Sequence, residues 1–227
     1  MHSKKKILIA DDEQDILDIL RYNLESEGFL VETVNNGVSA IELAKSFTPD
    51  LIILDVMMPF KNGVDTCREL RSNPAFRKTL IVFLTAMNDE SSEISGLESG
   101  ADDYLTKPIR PKALISKVQA LFRRLPELPG KDLHVGPLKI NRENFTVSMG
   151  EHSIILARKE FELLYLLASK PGKVFLRQEI LQLVWGIDVI VGDRTIDVHI
   201  RKIRQKLDLD IITTVKGVGY KFELNVE

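Results

Sequence analysis

The sequence holds a single cysteine, Cys67, among 227 residues. One thiol excludes an internal disulfide framework and a cysteine zinc cluster, and it fits a reducing compartment. Long apolar runs are also missing. The run from Leu80 to Leu84 is far too short to span a membrane. The basic start, MHSKKK, leads straight into a short strand and lacks the apolar region of a signal peptide. Neither sign of charge dominates, and a net charge of −2 announces no global affinity for nucleic acid. There is no internal repeat and no low-complexity segment. What is present is an ordinary globular composition, 44% hydrophobic and 28% charged. The length suits one or two domains, each large enough to bury a core.

The charge is unevenly spread. Residues 1–124 carry 16 basic and 19 acidic side chains, whereas 194–221 carry seven basic and three acidic. A basic patch near the C-terminus is hidden in the whole-chain value. Hydrophobic patterning divides the chain in the same way. The first half alternates between short apolar runs (6–10, 29–34, 50–55, 79–85, 102–107) and helix-like segments (13–28, 38–47, 63–72, 89–99, 111–124). Five strand-then-helix units predict a doubly wound five-stranded parallel sheet with helices on both faces. RRLPELPGKD, with two prolines and a glycine, breaks the pattern. The predicted division is a first domain at 1–124, a linker at 125–132 and a second domain at 133–227. Beyond the break come strand-like stretches (138–141, 145–149, 153–156), helical ones (158–169, 177–185, 194–207) and two strands around Gly217 and Gly219.

In an open parallel sheet, ligands bind outside the carboxyl ends of the strands. The first strand ends at Asp11 and Asp12, the third at Asp55, the fourth at Thr85 and the fifth at Lys107. A strand order of 2-1-3-4-5 places all four ends on one rim. Three carboxylates there repel each other, and a hard cation such as Mg²⁺ relieves that repulsion. A carboxylate in such a setting can accept a phosphoryl group. Asp55 is then the acceptor, Lys107 a cationic clamp and Thr85 a hydroxyl donor. Each residue taken alone has a plainer reading: Asp12 suits a helix cap, Asp55 a turn, and Lys107 a solvated lysine.

The pair DD at 11–12, LDVMMP around Asp55, LTA at 84–86 and GADDYLTKPI at 100–109 resemble a response-regulator receiver domain over residues 4–124. The resemblance implies a flavodoxin-like sheet. It also implies that Asp12, Asp55 and the Met57 carbonyl bind Mg²⁺, with Asp11 helping. Thr85 and Lys107 would hold the phosphoryl group, and Tyr104 would change rotamer when Thr85 moves. A cis bond at Lys107–Pro108 is a further implication.

RTIDVHIRKIRQKL, residues 194–207, places Ile196, Ile200, Ile203 and Leu207 on one stripe that must face a core. The other side collects Arg194, Val198, Arg201, Lys202 and Gln205, with His199 and Arg204 on the flanks. Such a helix suits a DNA major groove, although a solvated basic face has the same composition. VWG, DRTIDVHIRKIRQKL and TVKGVGYKF together resemble the winged helix-turn-helix effector domain of the OmpR/PhoB type over about 133–224. The resemblance assigns DNA contacts to Arg194, Thr195, His199, Arg201, Lys202 and Arg204, and from the wing to Thr214, Lys216 and Tyr220. His199 also reads as a histidine that merely packs. Loop 186–193 is where such regulators touch RNA polymerase.

The two resemblances imply a phosphorylation-switched transcription factor in a bacterial cytoplasm. A sensor histidine kinase phosphorylates it, and it pairs through the fourth helix, fifth strand and fifth helix to grip paired DNA half-sites. Asp102, Asp103 and Lys117 are expected on the pairing face, where Ala113 and Gln119 stand at positions that often carry charge. A phosphatase reading fails at Met57, where a general acid is needed two residues after Asp55. The only chemistry expected is Mg²⁺-dependent self-phosphorylation and self-dephosphorylation. A DNA-binding protein with a silent phosphorylation site is the third reading, and the full acid set argues against it.

Overall fold

A computed structural model describes residues 4–86, 96–122, 132–186 and 194–224, the side chain of Arg194 excepted. The chain divides into two compact units, Met1–Val118 and Gln119–Glu227. The predicted linker lies outside the described residues except for Asp132.

In the first unit, β1 (Lys6–Ala10), β2 (Leu30–Val34), β3 (Leu51–Asp55), β4 (Leu80–Ala86) and β5 (Asp103–Lys107) form one sheet in the order β2-β1-β3-β4-β5. Every pairing is parallel. β3 is buried along its whole length, as a central strand covered on both faces requires. The crossovers contain α1 (Gln14–Ser26), α2 (Gly37–Phe47), α3 (Gly63–Ser72) and α4, described over 96–99; α5 (Pro111–Phe122) follows β5. Asn36 and Asn62 cap α2 and α3, accepting from Ser39 N at 2.9 Å and Asp65 N at 2.8 Å. Gly63 lets α3 approach the sheet, because a Cβ there would stand 2.1 Å from the Asp55 carbonyl oxygen.

The second unit opens with β6 (Leu133–Val135), β7 (Leu138–Asn141), β8 (Thr146–Met149) and β9 (His152–Ile155), an antiparallel meander. Then come α6 (Arg158–Ala168), β10 (Phe175–Leu176), α7 (Arg177–Ile180), α8 (Arg194–Leu207), β11 (Ile212–Val215) and β12 (Gly219–Phe222). β10, β12 and β11 form a second sheet, in that order. The helix predicted at 177–185 is α-helical only to Ile180 and widens into a π-turn over Leu181–Trp185. Gly186, at φ 111°, closes that turn by donating to the Leu181 carbonyl at 3.0 Å. Ile196, Ile200, Ile203 and Leu207 of α8 are buried, as their spacing demands.

Candidate functional site

The parallel register carries the strand ends to one rim. Asp55 pairs with Leu84, so Thr85 stands one residue beyond it, and Ala86 pairs with Lys107. The centre of the rim is the Lys107 ammonium. Its Nζ lies 2.8 Å from Asp55 Oδ1, 2.9 Å from Asp11 Oδ2 and 3.1 Å from Glu13 Oε1. The second oxygen of each buried acid is held by backbone. Met57 N donates to Asp55 Oδ2 at 2.8 Å, and Glu13 N donates to Asp11 Oδ1 at 3.0 Å. The Thr85 hydroxyl is buried with no hydrogen-bond partner, an unusual condition for a buried polar group.

The electrostatics follow from three carboxylates sharing one ammonium. Burial pushes Asp55 above its ordinary value, and repulsion from Asp11 adds to that push. The hydrogen bond and charge of Lys107 and the Met57 amide pull the other way without overcoming it. Burial alone would lower Lys107, but the hydrogen bonds it donates to Asp55, Asp11 and Glu13 hold it above the usual lysine range. The ammonium is held by three carboxylates, while Asp55 carries the cost of its own burial.

Asp12 is exposed and does not cap α1, whose N-cap is Glu13 without a side-chain bond. Among the described residues no three acids, histidines or cysteines converge as a ready-made metal site. The expected set of Asp11, Asp12, Asp55 and Met57 is thus drawn together only in part. Asp11 and Asp55 meet through Lys107, which supplies the positive charge they need. The Met57 side chain is 77% exposed, and it is the backbone carbonyl of Met57, not this side chain, that is expected at the metal. Glu13 was missed in the sequence; its place beside the acidic pair after β1 was the available signal. The Lys107–Pro108 bond is cis.

The three charges expected on a pairing face are buried within their own chain. Asp102 accepts from Ile81 N at 2.8 Å and pairs with Arg71 at 2.6 Å. Asp103 accepts from Tyr104 N and pairs with Lys117, each at 2.8 Å. All three are at most 5% exposed. Asp102 is engaged by Arg71 and a backbone amide, and Asp103 by Lys117 and a backbone amide, so all three charges are matched within the chain. Tyr104 is also buried, with the Lys117 ammonium 5.8 Å from its ring centre.

The basic helix needs a similar correction. Arg201, Thr214 and Lys216 are exposed. Thr195, His199, Lys202 and Tyr220 are buried, so the apolar face of α8 is broader than its sequence stripe. His199 packs edge-on against Trp185, with ring centres 5.2 Å apart, and its Nδ1 lies 2.8 Å from the Thr195 carbonyl. The packing reading of His199 describes it. Lys202 is drawn toward the buried Glu160 of α6, 3.9 Å away, and Lys206 reaches the same carboxylate at 2.6 Å. Arg204 donates to the Ile212 carbonyl at 2.6 Å and to Thr214 Oγ1 at 2.9 Å, tying α8 to the wing strand. The Tyr220 hydroxyl donates to Asp197, which also pairs with Arg177 at 2.6 Å. Burial and the Asp197 carboxylate push the Tyr220 phenol up to about 12. Arg194 enters only by its backbone, and residues 187–193 lie outside the described residues.

Comparison with known proteins decides what this pair of units is. Residues 7–119 match the response regulator receiver domain and residues 150–222 match the C-terminal domain of transcriptional regulatory proteins. The phosphate regulon transcriptional regulatory protein PhoB of Rhizobium meliloti is 41% identical over 223 residues, covering 96% of this chain and 98% of that protein. The chain belongs to the OmpR/PhoB type of response regulator. The DNA-binding response regulator MtrA of Mycobacterium tuberculosis is 37% identical over 96% of both chains. Among solved structures, a RitR mutant superposes with a TM-score of 0.77 at 30% identity, covering 96% of this chain and 98% of that one. The Thermotoga maritima regulator DrrB gives 0.53 at 32% identity, over 98% and 100%. The regulator is therefore a phosphorylated transcription factor that binds DNA, and its family implies a histidine kinase as partner. No described helix is long and apolar enough to cross a membrane.

Proposed function

We propose that Asp55 accepts the phosphoryl group and that Asp11, Asp12, Asp55 and the Met57 carbonyl hold a Mg²⁺ ion. The observation that carries the reading is the Lys107 ammonium between Asp11 and Asp55, beside the unpartnered Thr85 hydroxyl. The donor set fits a hard divalent cation, being all oxygen, with two buried carboxylates facing one positive charge and an exposed Asp12 alongside. Mg²⁺ held there would supply positive charge that offsets the repulsion between these acids and a phosphoryl group. The chain's own residues do the rest. A carboxylate oxygen of Asp55 bonds to phosphorus as the P–N bond to the donor histidine breaks. The donor ring, protonated on its other nitrogen, leaves as neutral imidazole. Lys107 stabilises charge developing on the phosphoryl oxygens, and the Thr85 hydroxyl gains the partner it lacks. Tyr104 follows Thr85 and changes rotamer.

The donor is a sensor histidine kinase, and the reaction is self-modification rather than turnover of a substrate. Phosphorylated copies pair through α4, β5 and α5, where Asp103 and Lys117 hold the face in shape instead of bridging the copies. Pairing raises the effective concentration of two effector domains over paired half-sites. The residues offered to DNA are Arg194, Arg201, Thr214 and Lys216, with Arg204 holding the wing. Loop 186–193 meets RNA polymerase, and the whole works in the cytoplasm.

Intact-mass measurement after incubation with acetyl phosphate and Mg²⁺ tests the reading. One phosphoryl adduct is expected, absent without metal and absent in Asp55→Asn. An adduct that survives Asp55→Asn places the acceptor elsewhere.

A further inference from the structure

Among the described residues, four other than glycine have positive φ: Thr48, Phe60, Phe145 and Asp208. Three have local reasons. Thr48 closes α2 as its C-cap. Asp208 ends α8, donating its N–H to the Arg204 carbonyl at 2.9 Å. Phe145 packs its ring on Phe161, with centroids 5.0 Å apart. Phe60 has no such reason, because its side chain is 92% exposed. It also sits at the centre of a three-residue turn, where Lys61 N donates to the Pro59 carbonyl at 2.7 Å. With φ at 66° this is the rare, strained form of the γ-turn. Glycine would take that conformation without strain.

The loop that holds Phe60 is fixed at both ends. Met57 N is bonded to Asp55, Gly63 N to the Val56 carbonyl at 3.0 Å, and Asn62 caps α3. Lys61 is paired with Glu69 on α3. The backbone at Phe60 is therefore held in place, and its ring stands exposed five residues along the chain from the acceptor. An exposed aromatic held in a strained, fixed turn is unfavourable for the isolated chain, and such outliers gather at functional sites. Any protein that delivers a phosphoryl group to Asp55 must cover this rim, because Asp55 is only 6% exposed. Aromatic residues are favoured anchors in such contacts, and on a fixed backbone only two side-chain torsions are immobilised on docking.

We propose that Phe60 is the apolar anchor on which the phosphohistidine-bearing donor protein docks. This rests on the reading of Asp55 as acceptor. The site distinguishes donors by size: a protein donor needs the ring, and a small phosphoryl donor does not.

The test compares Phe60→Gly and Phe60→Tyr with the unaltered chain against two donors. One is acetyl phosphate. The other is a purified, autophosphorylated histidine-kinase core, chosen from a panel as the fastest donor to the unaltered chain. Phe60→Gly is expected to keep its acetyl phosphate rate and its thermal midpoint, because glycine relieves the turn. Its rate from the kinase core at limiting concentration is expected to fall about tenfold, as loss of one aromatic anchor predicts. Phe60→Tyr, which keeps the ring, is expected to retain the kinase rate. Equal kinase rates for Phe60→Gly and the unaltered chain overturn the proposal. So does an equal fall with both donors, which would place the effect on the chemistry at Asp55. If the unaltered chain takes phosphate from neither donor, the acceptor reading itself fails, which is a distinguishable result.

Discussion

Asp55 is a carboxylate set where water is scarce, beside an ammonium it shares with two other acids. Its folded-state pKa is raised above the ordinary carboxylate value of 3.8, with burial as the largest cause. A raised value means that the folded chain holds the proton more tightly than the unfolded chain. Asp55 then favours folding below about 3.8, and that advantage is lost as pH rises through its folded value. At neutral pH the ionised group is a net burden on stability. Asp55→Asn is therefore expected to raise the thermal midpoint at pH 7, with a gain that shrinks as pH falls toward 4. Thermal melts across that range check it, and a lower midpoint at pH 7 would contradict it. Asp11, Asp55 and Lys107 were legible because alternation placed them at strand ends, and strand ends share a rim. The sinking of Asp102, Asp103 and Lys117 was not legible. It depends on which amide of a neighbouring strand lies in reach, such as Ile81 N for Asp102, and a one-chain pattern carries no such register.

At the scale of elements, the packing of α6 against α8 turns on one buried acid. Glu160 is 1% exposed, and its Oε2 accepts from Ala157 N at 2.9 Å and from Lys206. Ala157 has no side-chain oxygen, so only this reverse half of a capping box exists. Burial would raise the carboxyl, but the charges of Lys206 and Lys202 more than offset it and hold the group below its ordinary 4.5. A lowered folded value gives stability that is present above about 4.5 and lost as pH falls through the folded value. Glu160→Gln removes the buried carboxylate charge that Lys206 and Lys202 both face. The expected loss at pH 7 is about 3 kcal/mol, read by urea denaturation, with a smaller loss at pH 4. A change within 0.5 kcal/mol of zero at pH 7, about the size seen for ordinary surface substitutions, would show that the helices do not depend on this pair. The α8 stripe was legible from its period, but the width of its buried face was not. Val198 and Lys202 belong by spacing to the polar side, and it takes α6 with its buried acid to draw Lys202 inward.

At the scale of the molecule, a chain of net charge −2 must bind a polyanion. It can do so only through local charge, with salt weakening the attraction steeply. The sequence located the basic patch but not its division of labour. Arg201 and Lys216 stand exposed on two different elements, α8 and the wing turn, while Lys202 is committed to α6. The two kinds of lysine and arginine should then fail differently. Arg201→Ala is expected to weaken DNA binding without changing the thermal midpoint. If its contact is to phosphate, the slope of log affinity against log salt should fall by about one per bound protomer, uniformly across sequences. A contact to a guanine edge would instead relax preference at one position of each half-site. Lys202→Ala is expected to lower the thermal midpoint, because it leaves Glu160 with one fewer cation, and to leave the salt slope of its folded fraction nearly unchanged. Binding titrations at several salt concentrations, paired with melts of the same samples, separate the two. A reduced salt slope in Lys202→Ala at an unaltered melting point would mean that its ammonium leaves Glu160 for DNA.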